Sequence, residues 1–183
     1  MATADKLLTA EEYGQLPDLG YPSELVLGRI VKMNPPQPRH GQVCYRAARI
    51  LGNHADDNDL GHVLTNDSGV ITHRNPDSVR GADVSFYSYG RVPKGPIEQG
   101  YLEVVPEVVV EVLSPDDRWP KTLAKIAEYL DAGVDVVCVL DPASQSARLY
   151  RANGDIEMLD GDQPLRLTEM SESFAEPVSR FFA

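Results

Sequence analysis

Glu111 stands in an unusual place for an acid. It interrupts the run EVVVEVL over residues 107–113, whose length and valine content are those of a central strand covered on both faces. Burial of an unpaired carboxylate there costs several kcal/mol, so the position calls for a basic partner, a raised pKa or a bound cation. Asp83 poses a milder version of the same problem in ADVSFY, residues 82–87. Strand alternation puts Ala82, Val84 and Phe86 on one face and Asp83, Ser85 and Tyr87 on the other, a half-polar strand. Taken alone, Glu111 reads equally as half of a structural ion pair at a strand end, with Glu107 its solvated neighbour on the same face. Asp83 alone reads as an ordinary polar strand residue. On two neighbouring strands of one sheet the two form a hard oxygen site, suited to Mg²⁺ or Mn²⁺.

Other residues with chemistry to offer are fewer. His40 opens a helix after the Pro-rich turn NPPQP, residues 34–38, and by itself is a solvated or capping histidine. Arg118, Lys121 and Lys125 read as a solvated helix face, or as phosphate contacts if a metal lies near. Trp119 reads as packing beneath a loop, with base stacking as the alternative. His54, His62 and His73 show no ligand spacing. Cys44 and Cys138 are the only cysteines and form no CxxC pair, so both read as reduced, Cys138 as a small buried hydrophobe.

The elements that must position these residues follow from pattern. Thr9 with Glu12 is a capping-box pair and predicts a helix to about Leu16, closed by Pro17. Residues 24–27 and 30–33 flank Gly28-Arg29 as a hairpin. Val43, Ala47, Ile50 and Leu51 recur at helical spacing and predict a helix from His40 to about Ala55. Residues 61–65 and 69–72 read as a strand pair. The stretch 88–105, with Gly90, Pro93, Gly95, Pro96 and Gly100, reads as a long loop and a candidate lid. Pro120 belongs in a first turn, so the next helix starts between Asp117 and Pro120 and ends before Gly133. On its wheel Leu123, Ile126, Ala127 and Leu130 form the apolar stripe, with Lys125 opposite. Residues 134–140 are a second central strand, 148–151 and 156–159 a hairpin around Asn153-Gly154, and 177–182 a terminal helix. Strand, helix, strand from Val108 to Leu140 is a crossover unit, which makes the sheet mixed, with parallel strands at its centre.

Length and charge set the frame. The 183 residues suit one domain, 1–183, and 42% apolar with 25% charged content suits a packed core. No apolar stretch reaches the roughly 18 residues that span a bilayer, and Met1–Leu8 lacks a secretory core. A soluble cytoplasmic protein without a membrane partner is the expectation. A net charge of −11 opposes tight nonspecific binding to a polyanion, but the acid is unevenly placed. Residues 74–125 hold seven Lys and Arg against eight Asp and Glu, whereas 151–183 hold three against seven.

Several blocks in fixed order carry a resemblance: ELVLGRIV from Glu24, Asn34-Pro-Pro, His40, RGADV from Arg80, PEVVVEVLSP from Pro106, Lys125 with Tyr129, Gly133-Val134, and Asp141-Pro142. Together they resemble the Uma-type restriction-endonuclease family of the PD-(D/E)xK nuclease superfamily. The resemblance implies an α/β, restriction-endonuclease-like mixed sheet with flanking helices and an N-terminal β-hairpin extension. It implies Mg²⁺- or Mn²⁺-dependent hydrolysis of nucleic acid, DNA being favoured, leaving a 5′-phosphate; a homodimer would suit paired cuts across a duplex. Asp83 and Glu111 become the metal-binding acids, with the backbone carbonyl of Val112 adding an oxygen. Glu24 becomes a helper acid, His40 a support, and Tyr129, Arg80 and Arg118 supporting groups. The superfamily usually places a lysine two positions after the second acid, where this chain has Leu113; Uma-type sequences move it to the following helix, which makes Lys125 the replacement. Ala82 stands where the family usually has proline. Two rival readings stay open: a nuclease fold that binds without cutting, favoured by Leu113 and the charge, and a metal hydrolase of a small phosphate ester.

Overall fold

The computed structural model describes residues 6–183; the reading of Met1–Leu8 rests partly on residues 1–5, which lie outside them. Helix α1 (Ala10–Gly14) carries the capping box, Thr9 accepting from the Glu12 amide and Glu12 from the Thr9 amide, and ends two residues short of Leu16. Strands β1 (Ser23–Val26) and β2 (Arg29–Lys32) make the hairpin. Its turn is Leu27-Gly28, one residue earlier than expected. Both lie at positive φ, 48° and 74°, the left-handed pair that a two-residue hairpin turn requires. Gly28 is also held by space, since a Cβ there would lie 2.6 Å from that of Leu7.

Helix α2 (Pro38–Asp57) starts on its proline and buries Val43, Ala47, Ile50, Leu51 and Ala55. The strand pair expected over 61–72 is a single strand, β3 (Gly61–His73), running antiparallel to β4 (Ser78–Ser88). What reads as a turn is a bulge between Thr65 and Ser68, with Asn66 and Asp67 at φ 63° and 55°. Asn and Asp tolerate this conformation, so the chain kinks and resumes pairing. The loop after β4 is pinned rather than hung as a lid: the Tyr89 amide donates to Leu60, Leu102 bridges Val70, and Tyr101 stacks on Tyr13.

The crossover unit is β5 (Val108–Val112), α3 (Trp119–Asp131) and β6 (Val136–Asp141), with β5 and β6 parallel. The hairpin β7 (Ser146–Arg151) and β8 (Ile156–Asp160) follows as expected. A small sheet of β9 (Pro164–Arg166) and β10 (Ala175–Pro177) is additional, and the expected terminal helix is a short 3₁₀ segment, Val178–Phe181. The result is an α/β fold on one eight-stranded mixed sheet, ordered β2-β1-β4-β5-β6-β7-β8, with β3 on the other edge of β4.

Two helices cover the two faces. On one, Val43, Ala47 and Leu51 of α2 pack with Val84, Phe86, Val110, Val112, Cys138 and Leu140. On the other, Ile126 and Tyr129 of α3 pack with Val109, Val137 and Val139. Each fully buried valine contributes roughly 1.5–3 kcal/mol relative to exposure. Two expectations for β4 fail. Ala82 joins the α3-side cluster, not the face of Val84 and Phe86, because the facing bulge alters the local twist. Ser85 and Tyr87 are fully buried, so the strand is covered on both faces. No helix among the described residues is long and apolar enough to cross a membrane.

Candidate metal centre

The centre lies at a break in the sheet. Strands β1 and β5 share one edge of β4, β1 paired at Leu25↔Val79 and β5 from Val84↔Val110 to Phe86↔Val108. Residues 80–83 fall between those ladders, and side chains take up the backbone groups there. The Gly81 amide donates to Glu24 Oε1 at 3.1 Å, and the Val112 amide donates to Asp83 Oδ2 at 2.7 Å. Asp83 thus stands in for a ladder bond where β4 and β5 part, one step beyond the last pair and level with Glu111. The N–H and C=O of one strand residue point to the same edge, so the Val112 carbonyl faces this gap too.

Glu111 alternates with Val110 and Val112, which face α2, and so projects toward α3. There Tyr129 donates its hydroxyl to Oε1 at 3.0 Å and Lys125 its ammonium to Oε2 at 2.9 Å. The ammonium also donates to the Gly81 carbonyl at 2.9 Å and lies 3.1 Å from Glu24 Oε1. Its three donors therefore meet three acceptors. The wheel reading of α3 needs correction: Leu123 and Ala127 are exposed, and the inward face carries Thr122, Lys125, Ile126, Tyr129 and Leu130. The acids of the gap turn a cation and a phenol inward in place of two apolar side chains.

Electrostatics bind these groups into one unit. Burial pushes the Glu111 carboxyl up to about 7; Lys125 pulls it down and Asp83 adds to the rise. Burial opposes the charge on Lys125, but Glu111 and Glu24 outweigh it and hold the ammonium well above its ordinary range. Burial and the Glu111 charge push the Tyr129 hydroxyl up. His40 Nε2 lies 3.3 Å from Asp83 Oδ2; burial disfavours its protonated form, yet the hydrogen bond and charge of Asp83 raise its pKa.

Arg80 is a bridge rather than a free cation, with Nη1 2.9 Å from Glu24 Oε2 and Nη2 2.6 Å from Glu128 Oε2. Arg118 is exposed at the N-cap of α3, where its guanidinium donates to the carbonyls of Asp116 and Asp117, outside the cluster. Lys121 is exposed as well. Trp119 packs at the α3-side core, with the Arg148 guanidinium 4.2 Å from its ring centre. Glu107 is not the solvated neighbour expected: it is buried, accepts from the amide and hydroxyl of Ser88, and pairs with Arg91 at 3.1 Å.

Two residues of the neighbourhood escape the sequence reading. Asp67, carried by the β3 bulge, sits over Gly81 so closely that a Cβ there would lie 2.9 Å from its own. The residue is exposed on the bulge, yet the protein crowded about its carboxyl, with the Asp83 charge, pushes the pKa up. Cys44 places Sγ 3.3 Å from His40 Nδ1. An i, i+4 pair on a helix is legible as a shared face, whereas nothing in Asn66-Asp67 marks a bulge rather than a turn.

A family model described as "Uma2: Putative restriction endonuclease" matches residues 10–179. The chain belongs to the Uma2 family. Among solved structures it is similar to one described as "a putative nuclease belonging to DUF820" from Anabaena variabilis, at 20% identity over 96% of this chain and 97% of that one, with a TM-score of 0.79. That likeness supports the restriction-endonuclease-like fold. No curated protein matches the chain.

Proposed function

We propose that this Uma2 protein is a metal-dependent endonuclease acting on DNA, a single domain whose Asp83 and Glu111 hold Mg²⁺ or Mn²⁺. The observation that carries this is the meeting of Asp83, Glu111 and Lys125 at one break in the sheet, with Lys125 Nζ 2.9 Å from Glu111. The donor set fits a hard divalent cation. Glu24 and Glu111 pair with Lys125, Glu24 also with an Arg80 already shared with Glu128, and Asp83 lies level with Glu111 across the gap; burial is the main cause of the rise at Glu111, and the Asp83 charge adds to it. Carboxylate oxygens with the Val112 carbonyl are the ligands Mg²⁺ and Mn²⁺ prefer.

Asp83, Glu111 and the Val112 carbonyl would hold the cation, which would supply Lewis-acid charge at a phosphoryl oxygen and make an attacking water more acidic. The chain's own groups do the rest. Lys125 brings a fixed positive charge to where negative charge grows on the phosphorus centre. Tyr129 and Lys125 hold one oxygen of Glu111 each, which locks its rotamer before substrate arrives. Glu24 anchors Lys125 and the Gly81 amide, Arg80 anchors Glu24, and His40 orients Asp83. The substitution of Leu113 for the usual lysine, the main argument for a fold that binds without cutting, loses weight because Lys125 reaches Glu111 from α3. In this reading the protein works in the cytoplasm, and a homodimer would set two such sites across a duplex.

Plasmid cleavage tests the proposal. Wild-type protein with Mn²⁺ should convert supercoiled plasmid to nicked and linear forms, and EDTA should stop it. Asp83→Ala and Glu111→Ala, purified in parallel, should be slower by at least about a hundredfold, the scale of losing one transition-state contact. Equal rates in all three would remove this site as the source.

A further inference from the structure

On the α2 side of Asp83 lies a donor set that the nuclease reading uses only in part, leaving Cys44 without a role and His40 as no more than an orienting group. His40 and Cys44 stand one turn apart on α2, and a nitrogen, the sulfur and an Asp83 oxygen all lie within 4.8 Å of one another. His40 Nε2 is 3.3 Å from Asp83 Oδ2 and 4.0 Å from Cys44 Sγ. Zinc bonds of about 2.0–2.1 Å to nitrogen and oxygen and about 2.3 Å to sulfur, at tetrahedral angles, put N and O about 3.4 Å apart and N and S about 3.6 Å apart. The nitrogen–oxygen separation lies within about 0.1 Å of that value and the nitrogen–sulfur separation within about 0.4 Å; because Sγ lies nearer Nδ1, at 3.3 Å, closing the triad on one cation takes a rotation of the ring. We infer that His40, Cys44 and Asp83 form a second metal site, a nitrogen, sulfur and oxygen triad for a borderline cation of the Zn²⁺ class.

The chemistry differs from that of the neighbouring acids. Thiolate and imidazole select Zn²⁺ or Co²⁺ over Mg²⁺, whereas the Asp83–Glu111 pair offers only oxygen. Three protein ligands leave a fourth position open, the pattern of an accessible rather than a closed zinc site. Of the three, His40 alone lines the adjoining pocket of about 360 Å³, together with Gln37, Leu113, Asp117 and Trp119, so solvent approaches the triad from the histidine side. Binding releases the Cys44 proton, as thiolate ligation requires. The inference goes beyond the nuclease reading and stands without it: that reading takes Asp83 as an oxygen ligand and His40 only as the group that orients it, and makes no use of Cys44.

Co²⁺ titration of the full chain under thiol-free reductant tests it. Wild type should develop a thiolate-to-cobalt charge-transfer band and the visible bands of tetrahedral cobalt, both bleached by Zn²⁺. Cys138→Ala should keep them, because Cys138 is buried in the core, and so should Glu111→Gln, which removes an acid of the hard site only. Cys44→Ala, with Cys44→Ser as the size-matched check on folding, should abolish the charge-transfer band. His40→Asn should weaken Co²⁺ binding by at least about a hundredfold, the upper end of what losing a mere supporting contact costs. Absence of the band in wild type, its survival in both Cys44 variants, or its loss in Glu111→Gln would each overturn the site, whatever the plasmid assay shows.

Discussion

Replacing Lys125 by methionine separates a buried, committed cation from a helix-face charge. Methionine keeps the apolar stem at similar volume, so what is lost is the ammonium and its contacts to Gly81, Glu111 and Glu24 at 2.9, 2.9 and 3.1 Å. Removing one partner of a buried ion pair costs about 3–5 kcal/mol. The side chains of Lys125 and Glu111 keep 19% and 14% exposure, which favours the lower end, about 3 kcal/mol. That loss depends on pH. Glu111 sits at about 7 with Lys125 pulling it down, so in the variant it rises further. A carboxyl whose folded pKa exceeds its unfolded value of about 4.3 adds stability that is complete below that pH and fades as pH climbs through the folded pKa. In the variant this fading runs to higher pH than in wild type. Unfolding free energies from urea titrations with EDTA present should therefore differ by about 1 kcal/mol near pH 5.5 and by about 3 kcal/mol near pH 8.5. A difference under about 0.5 kcal/mol at both values, the range of ordinary surface changes, would refute the coupling and return Lys125 to solvent.

Further outcomes follow from the same contacts. Tyr129→Phe removes the hydroxyl that holds Glu111 Oε1 at 3.0 Å; titration calorimetry should show Mn²⁺ affinity falling about 10–100-fold, as for the loss of a supporting hydrogen bond. Gly81→Ala drives a Cβ to 2.9 Å from that of Asp67, and thermal melts should report a loss of about 1–3 kcal/mol. Because Glu111 must be ionised to bind metal and titrates at about 7, Mn²⁺ affinity should rise about tenfold per pH unit below that value and level off above it; a flat profile in wild type would remove Glu111 as a ligand.

Much of the candidate site is legible because its acids break strong local patterns. A glutamate inside a valine strand, and an aspartate in the neighbouring strand, mark themselves without any knowledge of the fold. The central strands, the α2 stripe and the Pro120 start of α3 were legible for the same reason: periodicity and punctuation are local. Lys125 was misplaced on its wheel because the face a helix turns inward depends on what it meets, and here it meets Glu111 and Glu24 rather than more apolar surface. Asp67 was hidden because Asn66-Asp67 serves a turn and a bulge equally well, and only β4 running alongside decides between them. Glu107 was misjudged because its partner Arg91 lies beyond the strand, across the loop after β4.

A divalent cation such as Mn²⁺ held between Asp83 and Glu111 would scatter anomalously. An anomalous-scattering map from crystals soaked in Mn²⁺ tests that placement most directly. The expected result is a peak within bonding distance, about 2.0–2.6 Å for a hard cation, of both carboxylates in wild type, and none there in Asp83→Ala. Peaks confined to exposed acids such as Asp116 and Asp117, with the gap between β4 and β5 empty, would contradict it.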